Sequence, residues 1–212
     1  MTWVLRTFGS SVGKKLLMAL TGLGFCGFLV SHLAGNLTVY WGFDAFNSYA
    51  EHLHSLEPLV RMAEFGLATF AVIHVLTGLT LFYQNWTSRP NRYEVNRWGG
   101  GRTIFSATMP YTGLLILVFV GVHLATFKFA DPNMTVSEVA RHVFGNPAYV
   151  LFYVVSMVIV AFHVTHGFWS AFQTLGLNHP KYMPAIEKLS LLFGLIVALG
   201  YGSLPVVVIA MS

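Results

Sequence analysis

Hydrophobic positions along the chain are gathered into five long runs that contain no Asp, Glu, Lys or Arg. These charge-free runs cover residues 16–43, 65–88, 103–127, 142–180 and 189–212. A helix that crosses a bilayer needs about 20 mostly apolar residues, and each run exceeds that length. Because the hydrocarbon offers no water, every backbone polar group must be paired within its own helix, which excludes strands. The pattern predicts an all-α integral membrane protein with five transmembrane helices.

We expect these helices near residues 14–40, 60–86, 106–129, 147–175 and 187–211, in a single domain that spans residues 1–212. Pro147 favours a helix start, and Asn178-His179-Pro180 favours a stop. Composition agrees, since 55% of the residues are apolar and 9% are charged, against about a quarter charged in soluble domains. The single cysteine, Cys26, excludes a disulfide framework, a multi-cysteine metal site and a c-type haem attachment motif.

Basic residues collect on one side of these helices. Lys and Arg favour the cytoplasmic face of a membrane. The richer side contains Arg6, Lys14, Lys15, Arg89, Arg92, Arg97, Arg102, Lys181 and Lys188; the other contains Arg61, Lys128 and Arg141. The N-terminus is therefore predicted to be cytoplasmic and the C-terminus outside, and "inner" and "outer" below refer to these predicted sides. This topology accounts for the net charge of +4, so a nucleic acid partner is not expected.

Five histidines lie within the charge-free runs: His32, His74, His123, His163 and His166. Burying an ionisable side chain in the membrane costs free energy, so such a residue is by default a candidate for a functional role. One histidine on each of four helices fits bis-histidine haem b ligation, in which two neutral imidazoles bind one iron and four helices hold two haems. The alternative for each histidine is a purely structural role, in which the ring forms an interhelical hydrogen bond. Zinc or copper would need three or four converging ligands, and the runs contain no acid.

Glycines accompany three of the candidate ligands. Gly35 follows His32 by three residues, and H-x-x-x-G is repeated at His74–Gly78 and at His163–Gly167. Positions three or four apart share a helix face, so these glycines could leave room for a porphyrin beside the ligating ring. The repeat also favours His163 over His166 as the fourth ligand. For His166 we expect a hydrogen bond to a haem edge or to a neighbouring helix.

Several short motifs in a fixed order carry a resemblance to a known family. They are Ser10-Ser11-Val12-Gly13-Lys14-Lys15, Ser31-His32-Leu33-Ala34-Gly35-Asn36, Ala45-Phe46-Asn47-Ser48-Tyr49, His74 with Gly78, Thr112-Gly113, His123, and Phe162-His163-x-x-x-Gly167-x-Trp169-Ser170. With these motifs the chain resembles the di-haem cytochrome b membrane anchor of succinate:quinone oxidoreductases, the family of succinate dehydrogenases and quinol:fumarate reductases. The first four helices would then form the haem bundle.

The resemblance implies a division of labour. His32 and His123 would hold the outer haem iron, and His74 and His163 the inner one. The subunit would pass electrons between menaquinone or menaquinol and an iron–sulfur subunit, while a flavoprotein subunit with FAD interconverts succinate and fumarate. Such a chain would lie in the bacterial cytoplasmic membrane as part of an oxidoreductase complex, with the outward faces of helices one and five available for a homodimer. Within this family, the presence of two haems favours menaquinone as the quinone and fumarate reduction as the working direction.

Quinol oxidation releases protons, so a quinol site needs proton acceptors at the membrane edge. The outer segment between the first two helices offers Glu51 and His54, which we expect to line that site; a solvated amphipathic loop is the alternative. Some fumarate reductases of the family have a glutamate two residues before the fourth ligand, where this chain has Ala161. The arginines of the inner loop from Arg89 to Arg102 could bind an acidic partner or pair with haem propionates. Alternatively, they reflect only the preference of basic residues for the cytoplasmic side.

Two other functions fit the same residues. A di-haem b anchor of another respiratory dehydrogenase or reductase would have the same spectrum and different partner subunits. A haem-free small transporter would use the histidines to bind protons or substrate, and would be colourless.

Overall fold

The structure, a computed structural model, describes residues 2–88 and 103–212. Within these residues, five helices are long and apolar enough to cross a membrane: Ser11–Trp41, Glu57–Thr87, Ile104–Lys128, Pro147–Thr174 and Met183–Ala210. The five predicted helices are thereby confirmed, with ends that differ by a few residues. The second helix begins at Glu57 rather than near residue 60, so its first turns carry charge. The predicted inner loop from Arg89 to Arg102 lies outside the described residues.

Within residues 2–88 and 103–212, three short helices accompany the long ones. In chain order the α-helices are α1 (Thr2–Gly9), α2 (Ser11–Asn36), α3 (Phe43–Ser55), α4 (Glu57–Thr87), α5 (Ile104–His123), α6 (Val136–Phe144), α7 (Pro147–Thr174) and α8 (Met183–Ala210). A 3₁₀ turn, Leu37–Trp41, extends α2, and a π-helical turn, Leu124–Lys128, extends α5. The sequence pattern predicted neither α1, α3 nor α6, because each carries charged residues and is too short to cross a bilayer.

Helix starts follow local capping chemistry. The Ser10 side chain accepts a hydrogen bond from the Gly13 amide at the start of α2, and Thr103 and Ser106 cap α5 reciprocally. At α6, Thr135 and Glu138 form a capping box. Hydrogen bonds from the Thr135 amide and hydroxyl lower the pKa of Glu138, since they stabilise the carboxylate.

Gly13, in the Ser10–Lys15 motif, lies where α1 folds back on α2. A Cβ at this position would overlap the Thr7 carbonyl oxygen and would lie 2.7 Å from the Phe8 Cα. Both obstacles are backbone atoms, which cannot rotate away. Glycine is therefore required for α1 to lie against the start of α2.

Gly13→Ala is expected to displace α1 from α2 while leaving the transmembrane helices folded. The matched control is Gly9→Ala, because a Cβ on Gly9 meets no atom within 4 Å. Limited proteolysis of the purified protein should cut the first ten residues several-fold faster in Gly13→Ala than in the wild type or in Gly9→Ala. Equal cleavage rates in all three proteins would show that the close approach does not hold α1.

The long helices pack unevenly. α7 contacts α8, α5 and α2, whereas α4 packs mainly on α2 and has no fully buried residue within its described length. α7 and α8 approach closely at Gly194, where a Cβ would overlap the Thr165 hydroxyl and lie 3.1 Å from the Ala161 carbonyl oxygen. Near the outer end, Lys128 forms a salt bridge with Glu64 of α4. The best-packed part of the molecule therefore centres on α7.

The outer ends of the helices carry a cap built from α3 and α6. The Asn47 side-chain oxygen accepts a hydrogen bond from the Ser137 amide at 3.1 Å, so α3 satisfies a free amide at the start of α6. Phe46 is buried against the same core as Val139 and Phe144 of α6. Two residues of the Ala45-Phe46-Asn47-Ser48-Tyr49 motif thus serve to join α3 to α6.

Candidate cofactor site in the bundle

The four candidate ligands come together as two pairs. The ring centres of His32 and His123 are 6.0 Å apart, and those of His74 and His163 are 6.4 Å apart. All four side chains are partly buried. These are the same two pairs that the resemblance implies.

Each pair spans two helices whose backbones do not contact each other. α2 neighbours α4 and α7, and α5 neighbours α7, whereas no backbone contact joins α2 to α5 or α4 to α7 along the described chain. The pairs therefore bridge the diagonals of the α2, α4, α5 and α7 bundle. On α2, the Thr21 hydroxyl contacts His74 eleven residues before His32, which separates the two levels by roughly 16 Å at 1.5 Å per residue.

In all four imidazoles, the hydrogen-bonding contacts engage Nδ1. For the inner pair, the contacts are His74 to Thr21 Oγ1 at 3.0 Å and His163 to Thr112 Oγ1 at 3.1 Å. For the outer pair, they are His32 to Asn36 Nδ2 and His123 to the Tyr153 hydroxyl, both at 3.5 Å. Throughout residues 2–88 and 103–212, no hydrogen bond engages Nε2 of these rings. Nε2 is thus left available as a ligating atom.

Aromatic residues enclose the outer pair. Phe28 stacks on His32 with ring centres 5.1 Å apart, and Phe119 stacks on His123 at 5.7 Å. Tyr201 of α8 lies 5.9 Å from His32 and donates a hydrogen bond to the Leu29 carbonyl at 2.7 Å. The fifth transmembrane helix contains no histidine, yet it contributes a wall to the outer pair. The sequence pattern did not indicate this role for Tyr201.

His166 carries an unsatisfied polar atom. Its Nδ1 is buried and has no hydrogen-bond partner among the described residues, and its ring packs edge-on against Trp169 at 5.0 Å. A buried ring nitrogen without a partner is costly, so this atom fits a group that the protein itself does not provide. A Cβ on the adjacent Gly167 would meet no atom within 4 Å, so open space lies beside this glycine.

The three predicted packing glycines differ in their surroundings. A Cβ on Gly35 would overlap the Tyr49 ring of α3, and one on Gly78 would lie 3.5 Å from the Met18 methyl. Gly35 therefore accommodates Tyr49, and Gly78 faces Met18. Of the three, only Gly167 faces open space.

Two further glycines lie directly against the inner imidazoles: Gly22, which sequence reasoning missed, and Gly113, which it named only as part of the Thr112-Gly113 motif. A Cβ on Gly22 would be 3.5 Å from His74 Cε1, and one on Gly113 would be 3.4 Å from His163 Cε1. Both glycines follow the threonines that contact Nδ1 of these rings. Each Thr-Gly step thus supplies a hydroxyl and the space for one imidazole.

An internal repeat explains this matching geometry. α2 and α5 share a Thr-Gly step, a phenylalanine seven residues after the threonine and a histidine eleven residues after it: Thr21, Gly22, Phe28 and His32, then Thr112, Gly113, Phe119 and His123. α4 and α7 share His-Val-x-x-Gly at His74 and His163. Equivalent residues of the two halves therefore face each other. Only the last of these patterns was recognised in part, through H-x-x-x-G.

Glu51 and His54 lie on α3, one turn apart, and both side chains are exposed. The predicted loop is therefore a helix in this region. Neither side chain forms a hydrogen bond or an ion pair with a described residue. α3 itself contacts the outer end of α2 through Tyr49 and Gly35, which places these side chains on the outer side of the bundle.

Comparison with known proteins gives one informative match. The chain is 27% identical over 187 residues to the succinate dehydrogenase cytochrome b558 subunit of Bacillus subtilis (strain 168), covering 85% of this chain and 87% of that protein. The chain is thus similar to a cytochrome b subunit of a bacterial succinate dehydrogenase. No family model and no solved structure matches the chain.

The match extends across nearly the whole molecule and is not confined to one motif. It confirms the resemblance drawn from the ordered motifs. Together with the five apolar helices, it also confirms the prediction of a multi-pass protein of the bacterial cytoplasmic membrane.

Proposed function

We propose that the chain is the membrane anchor and electron-transfer subunit of a succinate:quinone oxidoreductase and holds two b haems. His32 and His123 would be the axial ligands of the outer haem iron. His74 and His163 would be those of the inner one. The pairing of the four imidazoles across the diagonals of the bundle carries this proposal.

The spacing of each pair fits one iron between two rings. A metal–imidazole bond is about 2 Å on each side, and each ring centre lies roughly 1 Å beyond its nitrogen, so the ring centres should be about 6 Å apart. The pairs measure 6.0 and 6.4 Å. In this proposal, the open space at Gly167 would supply room, and the unpartnered Nδ1 of His166 a polar contact, for the edge of the inner haem.

A protein-only metal site fits less well. No group of three or more His, Cys, Asp or Glu side chains converges as a metal site within the described ranges. Zinc needs three or four such ligands, whereas haem iron takes four of its ligands from the macrocycle and needs only two from the protein. Paired histidines therefore support haem.

A haem ligated in this way accepts and returns one electron at a time. The chain's own residues would fix the imidazoles, exclude water with Phe28 and Phe119, and position the two levels along the bundle. The Bacillus subtilis relative is named as a succinate dehydrogenase subunit, which supports a flavoprotein with FAD and an iron–sulfur protein as partners. In the predicted orientation they would dock on the inner side, next to residues 89–102.

We propose that the quinone chemistry takes place at the outer end, with menaquinone or menaquinol as the substrate and Glu51 and His54 as proton acceptors. Their exposed positions on α3 support this, and fumarate reduction remains the favoured direction. Ala161 is buried and carries no proton-transferring group, so no proton route through that position is proposed. A homodimer of the complex through the outward faces of α2 and α8 also remains a proposal.

The test is a spectrum followed by a purification. The membrane-extracted subunit should show the bands of reduced b haem, with two haems per chain, and the tagged subunit should co-purify with flavin and iron–sulfur proteins that oxidise succinate or reduce fumarate. Co-purification with a molybdenum enzyme would indicate an anchor of another respiratory complex. A colourless protein from haem-replete cells would refute the haem proposal and favour the transporter.

Replacing Glu51 or His54 with Gln is expected to reduce quinol oxidation by about a hundredfold, because a lost proton acceptor costs that much or more. The matched control is His52→Gln, which removes a neighbouring exposed imidazole on the same helix. Steady-state turnover with a menaquinol analogue, at equal haem content, measures the effect. Wild-type turnover in both Glu51→Gln and His54→Gln would exclude them as acceptors.

A further inference from the structure

Two threonines occupy equivalent positions in the internal repeat. Thr21 of α2 contacts Nδ1 of His74 on α4, and Thr112 of α5 contacts Nδ1 of His163 on α7, at 3.0 and 3.1 Å. Both threonines are buried, with exposures of 4% and 8%. Each half of the bundle therefore presents one hydroxyl to one inner imidazole.

The direction of these hydrogen bonds follows from the single hydroxyl proton. Thr21 donates it to the Leu17 carbonyl oxygen at 2.6 Å, and Thr112 donates its own to the Thr108 carbonyl oxygen at 3.1 Å. Towards the imidazole, each hydroxyl oxygen can then only accept. The arrangement that satisfies the carbonyl and the imidazole contacts together places the imidazole proton on Nδ1 and its lone pair on Nε2.

The outer pair lacks an equivalent contact. Its Nδ1 atoms lie 3.5 Å from Asn36 Nδ2 and from the Tyr153 hydroxyl, at the limit of a hydrogen bond. The Tyr153 hydroxyl is also engaged by Thr126 at 2.6 Å. Short acceptor contacts at Nδ1 are therefore confined to the inner pair.

We propose that Thr21 and Thr112 are positioning residues that fix the Nδ1–H tautomer of the two inner ligands and lower the reduction potential of the inner haem. This inference rests on the proposed function. A ligand that donates its second N–H to an acceptor becomes more basic at the metal-binding nitrogen. A more basic ligand stabilises ferric over ferrous iron, so these two hydroxyls act on the inner haem and leave the outer haem unaffected.

The experiment compares Thr21→Val and Thr112→Val, singly and together, with the corresponding Thr→Ser variants. Valine has the shape of threonine without the acceptor, and serine restores the acceptor. Thr77→Val is the matched control, because among the described residues the Thr77 hydroxyl bonds only to the backbone carbonyls of Ile73 and His74. Redox titration of the intact complex, with the haems assigned through His32→Ala and His74→Ala, gives each potential.

In each single valine variant, the ratio of reduced to oxidised inner haem at the wild-type midpoint is expected to rise about fivefold, as for one lost hydrogen bond. The double variant should shift further, the serine variants should return to the wild-type ratio, and the outer haem should be unchanged. The low-spin ferric resonance of the inner haem should move in the same variants. Loss of the inner haem in the valine variants alone would also support a requirement for the hydroxyl.

Unchanged potentials in the double valine variant would overturn the proposal, as would an equal shift in Thr77→Val or a shift that serine does not reverse. These outcomes leave both haems bound, so they refute the role of the threonines and not the haem assignment. A wild-type complex without any haem would refute both.

Discussion

Alanine at any one of His32, His74, His123 or His163 is expected to remove about half of the haem bound per chain. Each iron would draw its two protein ligands from one pair only, whose rings are 6.0 or 6.4 Å apart. Losing one axial imidazole leaves the haem with a single attachment to the protein. Combining His32→Ala with His74→Ala, one from each pair, should remove nearly all of it. Haem absorbance per mole of purified chain measures both effects.

His179→Ala provides the matched control, since His179 is an exposed histidine beyond the inner end of α7. Redox titration adds a stricter requirement, because alanine at either histidine of a pair must abolish the same haem redox transition. If His32→Ala and His123→Ala abolished different redox transitions, the proposed pairing would be wrong, even if each variant had lost half of its haem.

Leucine at Gly113 is expected to exclude the inner haem and to spare the outer one. A Cβ at this position already lies 3.4 Å from His163 Cε1, so a branched side chain must push the imidazole away from its partner. Overpacking of this kind forces side chains off their preferred rotamers and shifts the backbone. Gly22→Leu should act in the same way through His74. About half of the haem should be lost, all of it from the component assigned to His74 and His163.

Gly27→Leu is the control for this prediction. It lies on α2 like Gly22, is exposed, and has no atom within 4 Å of a Cβ, so its haem content should equal that of the wild type. Retention of both haems in Gly113→Leu would show that the inner ring has room to move, and that the Thr-Gly step does not define its position.

The transmembrane helices could be predicted because the membrane imposes a strict rule on composition. Long runs without charged residues are rare in soluble proteins, so the five runs alone are nearly sufficient to predict the five helices. Their ends were less predictable at Glu57, where exposed charge continues into the helix and Arg61 pairs with Glu57. The helices α3 and α6 escaped prediction, since tertiary contacts such as Asn47 with Ser137 stabilise them.

The histidines were predictable for a related reason, because an imidazole in hydrocarbon requires an explanation. Their pairing followed from the family resemblance rather than from periodicity. Thr21 and Thr112 were not identified as partners, because threonines in membrane helices commonly bond to their own backbone, as Thr77 and Thr80 do here. Tyr201 is 169 positions from His32 in the chain, and only the three-dimensional packing of α8 on α2 reveals its role.

The absence of backbone contact across both diagonals of the bundle has a consequence for biogenesis. Helices that do not contact each other are held in place by their shared neighbours and by whatever fills the gap between them. A guest that binds only the folded chain stabilises it by mass action. Under porphyrin starvation we therefore expect the newly inserted polypeptide to remain loose between α4 and α7 and to be degraded by membrane proteases. Cellular pigment supply would then set how many copies of the subunit accumulate.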